Sequence, residues 1–324
     1  MSPAAPVRST PRPAPRLWDG LLPVDKPAGV TSHDVVARVR RALGIRAAGH
    51  LGTLDPAATG LLVVVLGAAT RCSTVWQGGE KTYEARVRFG VVTDSQDLDG
   101  ALLETRPVEV SEEQVRAASL ELVGALEQVP PMVSALKHKG ERLHAIARRG
   151  ETVERAPRRI TVHEWRWLEV ALPEARFVVR CSGGTYVRTL AHDLGARLGC
   201  GAALAGLRRL GSAPFHVEQA CAWEHLAALE ATQVLARHGI ALDRALAVLP
   251  AVTLDVTGAE ALGRGQRVRV EACEAPVGAG ERSVVLRDAT GRALALGELR
   301  AEAGAVVAFP QVVFPWAVRE GRPA

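Results

Sequence analysis

Six consecutive apolar residues, Leu61 to Leu66, stand between Gly60 and Gly67, and this run restricts the fold more than any other stretch. An apolar run of that length fenced by turn residues is the signature of a strand buried on both faces. It falls far short of the roughly 20 residues that cross a bilayer. No charged segment followed by an apolar one opens the chain, so the sequence reads as a soluble, unexported, cytoplasmic protein. With 324 residues, 48% of them hydrophobic, there is enough apolar material for one large domain and a smaller one, which excludes disordered and fibrous classes. The segment just before the run, GHLGTLDPAATGLL (49–62), is a loop in which Gly52 allows close backbone approach and Pro56 stiffens the turn. The buried strand anchors its far end, so the loop is a rigid mount for the carboxylate of Asp55. The plain alternative is that Asp55 is only a turn residue before proline.

The rest of the chain predicts a mixed α and β fold. Thr31 and Asp34 form a capping signature ahead of Val35, Val36, Val39 and Leu43 at helical spacing, and Gly44 stops the pattern. Residues 81–89 alternate as a strand, 94–100 form an acidic turn, and Ser111 with Gln114 caps a helix that ends before Pro130 and Pro131. Residues 177–181 read as a strand and Ser182-Gly183-Gly184 as a tight turn. Leu190, Ala191, Leu194 and Leu198 make the stripe of a helix ended by Gly199 and Gly201. Residues 1–16, rich in proline and arginine, are expected to be a disordered basic leader. The domain boundaries expected are 17–249 and 250–324, the second a small all-β module without net charge.

The chain carries a net charge of +5, and residues 131–160 alone hold eight Lys and Arg against three Glu, the same net charge in one inserted stretch. A charge run is usually a solvated face, but concentration in an insertion favours a polyanionic partner. Aromatic residues make up only 4% of the chain, too few to stack base after base along a single strand, which points to folded RNA. The cysteines at 72, 181, 200, 221 and 273 form no CxxC pair and show no histidine partner at ligand spacing, so no metal is expected. Gly183-Gly184 lacks the GK[ST] ending of a nucleotide loop, and no cofactor is expected. Only two tyrosines occur, in KTYEA (Tyr83) and GGTYVRT (Tyr186). Each is either a half-buried strand residue or a flat ring placed for a planar base. Arg188, two residues beyond Tyr186, would share its face if the strand continued, placed to pair with a buried carboxylate.

Five segments in order resemble the TruB family, the tRNA pseudouridine-55 synthases. They are DGLLPVDKPAGVTSHDVVARVRR (19–41), GHLGTLDPAATGLL (49–62), KTYEARVRFGVVTDSQDLDG (81–100), PPMVSALKHKGERLHAIARRGETVERAPR (130–158) and CSGGTYVRTLAHDLGARLGCGAALAGLRRL (181–210). The resemblance implies an α+β fold, a pseudouridine synthase core around a mixed, largely antiparallel sheet, with a C-terminal PUA-like β-barrel. It makes Asp55 the catalytic carboxylate, with Arg188 paired to it and Tyr186 beside it. Tyr83 becomes the ring stacked on the target base and Leu207 the apolar wall. His50 fills the space left by the extruded nucleotide, and Lys26 lies near the backbone or pocket rim. Lys137, Lys139, Arg148, Arg149 and Arg158 would grip RNA backbone. Leu51 stands where threonine is usual and His144 where the insertion usually carries tyrosine. The implied partner is the T-stem and T-loop of tRNA, bound by a monomer without guide RNA. Two rivals stay open: a non-catalytic tRNA-folding protein, and a guide-dependent pseudouridylase. The residues also leave open whether Asp55 attacks C1′, adds to C6, or removes the C2′ proton.

Overall fold

The computed structural model describes residues 18–134, 136–138, 140–270, 283–302 and 304–320. The leader expected over 1–16, together with Lys139 and Cys273, lies outside the described residues, as does the side chain of Lys137. The run that restricts the fold most is the heart of an eleven-stranded sheet. Its strands Cys221–Ala222, Gly20–Lys26, Thr59–Leu66, Ala202–Ser212, Lys81–Phe89, Glu174–Cys181, Arg158–Ala171 and Gly124–Gln128 lie side by side in that order. Three further strands, Ala48–His50, Phe215–His216 and Ile240–Ala241, pair beside this path. Only the contacts of Gly20–Lys26 with Cys221–Ala222 and of Thr59–Leu66 with Ala202–Ser212 are parallel among these neighbours. The sheet is mixed and largely antiparallel, as expected.

The uniform apolarity of Leu61 to Leu66 has a direct cause. Leu62, Val64 and Leu66 enter one core, while Leu61, Val63 and Val65 enter a second on the opposite face. The first core is covered by the helices Ser32–Leu43 and Val187–Arg197. Thr31 and Asp34 make the reciprocal cap of the former, and Gly44 ends it at φ +67°. The second core is shared with Val285, Ala293, Leu296 and Phe314 of the C-terminal part. There the strands Ala251–Thr253, Ser283–Arg287, Ala293–Glu302, Ala305–Val313 and Val268–Val270 form a five-stranded sheet, in that order, curled into a half-barrel. The helices Val256–Gly263 and Pro315–Glu320 pack against it.

Two element bounds are set by the tertiary structure. The helix capped by Ser111 and Gln114 ends at Leu120, and Gly124–Gln128 is a strand paired with Arg158–Ala171. After Leu120 the inward positions are Leu122, Leu126 and Gln128, a period-two pattern that a helix cannot bury. The strand Glu174–Cys181 does not continue through Tyr186, which instead caps the helix Val187–Arg197. Arg188 therefore projects from a first helical turn.

Candidate active site

The loop that carries Asp55 is tied down from both sides. Ser32 Oγ donates to the Leu54 carbonyl (3.0 Å) and accepts from the Leu54 N–H (2.9 Å). Lys26, with none of its surface exposed, donates from Nζ to the carbonyls of Pro56 (3.0 Å), Val30 (2.7 Å) and Pro27 (2.9 Å). From the opposite side the buried Arg209 donates to the Gly52 carbonyl (3.1 Å) and the Leu61 carbonyl (2.7 Å). Gly52 and Gly60 take φ values of +91° and +97°, and a side chain at Gly60 would run into the backbone of Arg209. Lys26 was expected near the backbone or the pocket rim. Its placement is under the loop, where three carbonyls occupy its ammonium group, and burial pulls its pKa down to about 8 against the opposing pull of Asp55.

Arg188, 4% exposed, stands between two carboxylates: its Nε is 3.2 Å from Asp55 Oδ2 and its Nη1 is 3.2 Å from Asp97 Oδ2. The carbonyls of Ser95 (3.1 Å) and Val133 (2.8 Å) accept from the same guanidinium, so its orientation is fixed. Burial raises the Asp55 pKa, Arg188 opposes that rise, and the negative charge of Asp97 adds to it. The Asp55 side chain nevertheless keeps 47% of its surface open, and that surface faces a cavity.

The cavity has a volume of about 300 Å³, the lower end of the range for small-molecule sites. Asp55, Tyr83, Tyr186, Arg188 and Leu207 all line it. A smaller recess of about 80 Å³ adjoins it and shares Asp55, Arg188 and Leu207. Tyr83 is buried on the strand Lys81–Phe89. Burial raises its phenol pKa, and the positive charge of the neighbouring Arg209 pulls the other way. Tyr186 is held by its backbone: its N–H donates to Gln128 Oε1 (2.8 Å) and its carbonyl accepts from Gln128 Nε2 (3.1 Å). His50 is not brought into either cavity. It sits on the strand Ala48–His50 opposite Val64, and burial lowers its pKa so that the neutral ring is favoured.

Sequence reasoning missed Asp97, Lys81, Gln128 and Arg209. Asp97 lay in the acidic turn, and its excess of carboxylates was the available signal. Lys81 lines the cavity with its ammonium bound to the Gly79 carbonyl (2.8 Å), and burial pulls its pKa to about 8. Gln128 and Arg209 are buried polar side chains in strands, and only their partners, far away in sequence, explain them. In the basic insertion, the hairpin Lys137–His138 and Glu141–Arg142 precedes the helix Leu143–Arg148. Arg148 and Arg158 are exposed, whereas Arg149 is ion-paired with both Glu141 and Glu151. Leu51 is fully buried.

The sheet order and the braced carboxylate define a class. Over 95% of this chain and 88% of the other, the fold matches the crystal structure of a Cbf5–Nop10–Gar1 complex with a TM-score of 0.72 at 25% identity, placing it among pseudouridine synthases. Residues 40–187 match the family model "TruB family pseudouridylate synthase (N terminal domain)", and residues 188–250 match "tRNA pseudouridylate synthase B C-terminal domain". The chain is 45% identical over 291 residues to the tRNA pseudouridine synthase B of Thermobifida fusca, covering 87% of this chain and 95% of that protein. It is 46% identical over 285 residues to the protein of the same name in Aromatoleum aromaticum, covering 87% and 89%. The chain belongs to the TruB family of pseudouridylate synthases.

Proposed function

We propose that the protein isomerises a uridine of tRNA, the T-loop residue at position 55, to pseudouridine, with Asp55 as its essential carboxylate. It acts as a cytoplasmic monomer without a guide RNA. The observation that carries this reading is the meeting of Asp55, Arg188, Tyr83, Tyr186 and Leu207 on one cavity, in a chain whose relatives are named for tRNA. The C1′–N1 bond breaks, the base turns, and C5 joins C1′; the C5 proton leaves and N1 regains one, so the reaction is redox-neutral. Its main requirement is a carboxylate held against the nucleoside in a site with fixed charges. Arg188 and Asp97 orient that carboxylate, and Lys26 and Arg209 hold its loop. Tyr186 is the phenol placed beside the reacting base.

A uridine inside a folded loop must first be extruded, at a cost of a few kcal/mol. Stacking on Tyr83 returns roughly 1–3 kcal/mol, and Leu207 closes the apolar side. His50, outside the cavity, suits the role of filling the gap left in the RNA loop. Lys137, Lys139, Arg148, Arg149 and Arg158 contribute backbone affinity that weakens with salt. The test is incubation of pure protein with unmodified tRNA transcript, followed by mapping of pseudouridine. Product at position 55 without added RNA supports the reading; no product, or product only with a guide, overturns it.

A further inference from the structure

A second cluster of reactive side chains lies at the edge of the large sheet, in a segment the proposed chemistry does not use. The strand Cys221–Ala222 runs parallel to Gly20–Lys26, with Cys221 opposite Val24. The short helices His225–Ala228 and Ala231–His238 come next, and Ile240–Ala241 then returns to pair with Leu21 and Gly20. This path brings the Cys221 sulfur and one ring nitrogen each of His225 and His238 within 4.8 Å of one another. Cys221 is buried, His238 is half-buried and His225 is exposed. No cysteine pair marks such a cluster in the sequence, because the three groups are gathered from separate elements by the turn-back of the segment.

Zinc binds thiolate sulfur at about 2.3 Å and imidazole nitrogen at about 2.0–2.1 Å, so ligand atoms of a tetrahedral site stand roughly 3.5 Å apart. Small side-chain rotations close the observed spread to that value. The Nδ1 of His238 lies 3.2 Å from the Gln219 carbonyl oxygen. An Nδ1–H donating there fixes the tautomer whose Nε2 carries a lone pair, the usual support of a metal-binding histidine. The rings of His225 and His238 are neighbours, tilted by 36° with centroids 6.2 Å apart. His238 also borders a solvent cavity whose lining includes Gln219, Gly239, Arg237 and Arg244.

We propose that Cys221, His225 and His238 bind one zinc-class divalent ion, with water as the fourth ligand. One thiolate and two imidazoles are a donor set that suits zinc over calcium or magnesium. On binding, the Cys221 thiol gives its proton to solvent and the metal–sulfur bond forms. The ion joins the beginning of the segment to its far helix and thereby clamps the segment along the edge of Gly20–Lys26. It has no part in the isomerisation.

Full-length protein freed of metal with a chelator is titrated with Co²⁺ as the spectroscopic probe, and Zn²⁺ is then added. The expected result is a one-to-one complex with the visible bands of tetrahedral cobalt and a thiolate charge-transfer band, both abolished by zinc. At free zinc 100-fold above its Kd, the folded-to-unfolded ratio rises about 100-fold, read as a higher melting temperature. Cys221→Ser removes the charge-transfer band. Should that variant fail to fold, His238→Gln at its half-buried position weakens cobalt binding at least tenfold. No one-to-one cobalt spectrum in the unaltered protein overturns the proposal, as does a charge-transfer band that survives Cys221→Ser or an affinity unchanged by His238→Gln.

Discussion

Asp55 is a carboxylate under opposed influences. Burial and Asp97 favour its protonated form, while Arg188, 3.2 Å away, favours the charged one, and the balance lies above the ordinary aspartate value. A folded-state pKa above the unfolded one makes a contribution to stability that is present at low pH and lost as pH rises through the folded value. At neutral pH, Asp55→Asn should therefore melt no lower than the unaltered protein, since Arg188 keeps Asp97 and two carbonyls. The acid limb of kcat/KM should fall above the pH expected of a free aspartate, and a pH–rate profile checks it. For Tyr83, removal of the ring forfeits stacking worth roughly 1–3 kcal/mol, so Tyr83→Ala should lower kcat/KM by about 5- to 150-fold. Tyr83→Phe should lose less, and equal losses in single-turnover assays would contradict the stacking role. Asp55, both tyrosines, Arg188 and Leu207 were legible because each sits in a quotable motif. Asp97 and Arg209 were not, because their meaning lies in partners brought near only by folding.

At the scale of elements, the loop 49–60 and the strand after it act as one mount. The strand was legible from its uniform apolarity, which reflects burial on two faces by two different cores. The start of the helix Glu112–Leu120 was legible because its cap is local, whereas its end is decided by strand pairing across to Arg158–Ala171. The sequence placed Arg188 on the face of Tyr186 only if the strand continued, because the turn at Ser182-Gly183-Gly184 gave no sign of where the helix begins; it begins at Val187. Lys26 is the fastening of the mount. Lys26→Met, which keeps the bulk and removes the three hydrogen bonds to carbonyls, should lower kcat by about 100-fold through a displaced carboxylate, while tRNA Kd stays nearly unchanged. Equilibrium binding beside single-turnover rates separates this outcome from general unfolding.

Over the whole molecule, the basic stretch 131–160 reaches the cavity: Ser134 and Leu136 line it, and the Val133 carbonyl accepts from Arg188. The cavity lined by Asp55 lies on the large sheet, the net positive charge is concentrated in residues 131–160, and the C-terminal half-barrel sheet backs the strand Thr59–Leu66 through a shared core. Exposed Arg148 and Arg158 should each reduce the slope of log K against log salt by about 1 when neutralised. Arg149, already paired with two glutamates, should reduce it by less. Titrations of tRNA binding at several salt concentrations measure all three. The role of Asp55 is decided by the pseudouridine formed per tRNA by Asp55→Asn protein, taken beside its tRNA Kd. An essential carboxylate at this position means no product above the enzyme-free background, with Kd within a few-fold of the unaltered protein; product formed at the unaltered rate would contradict it.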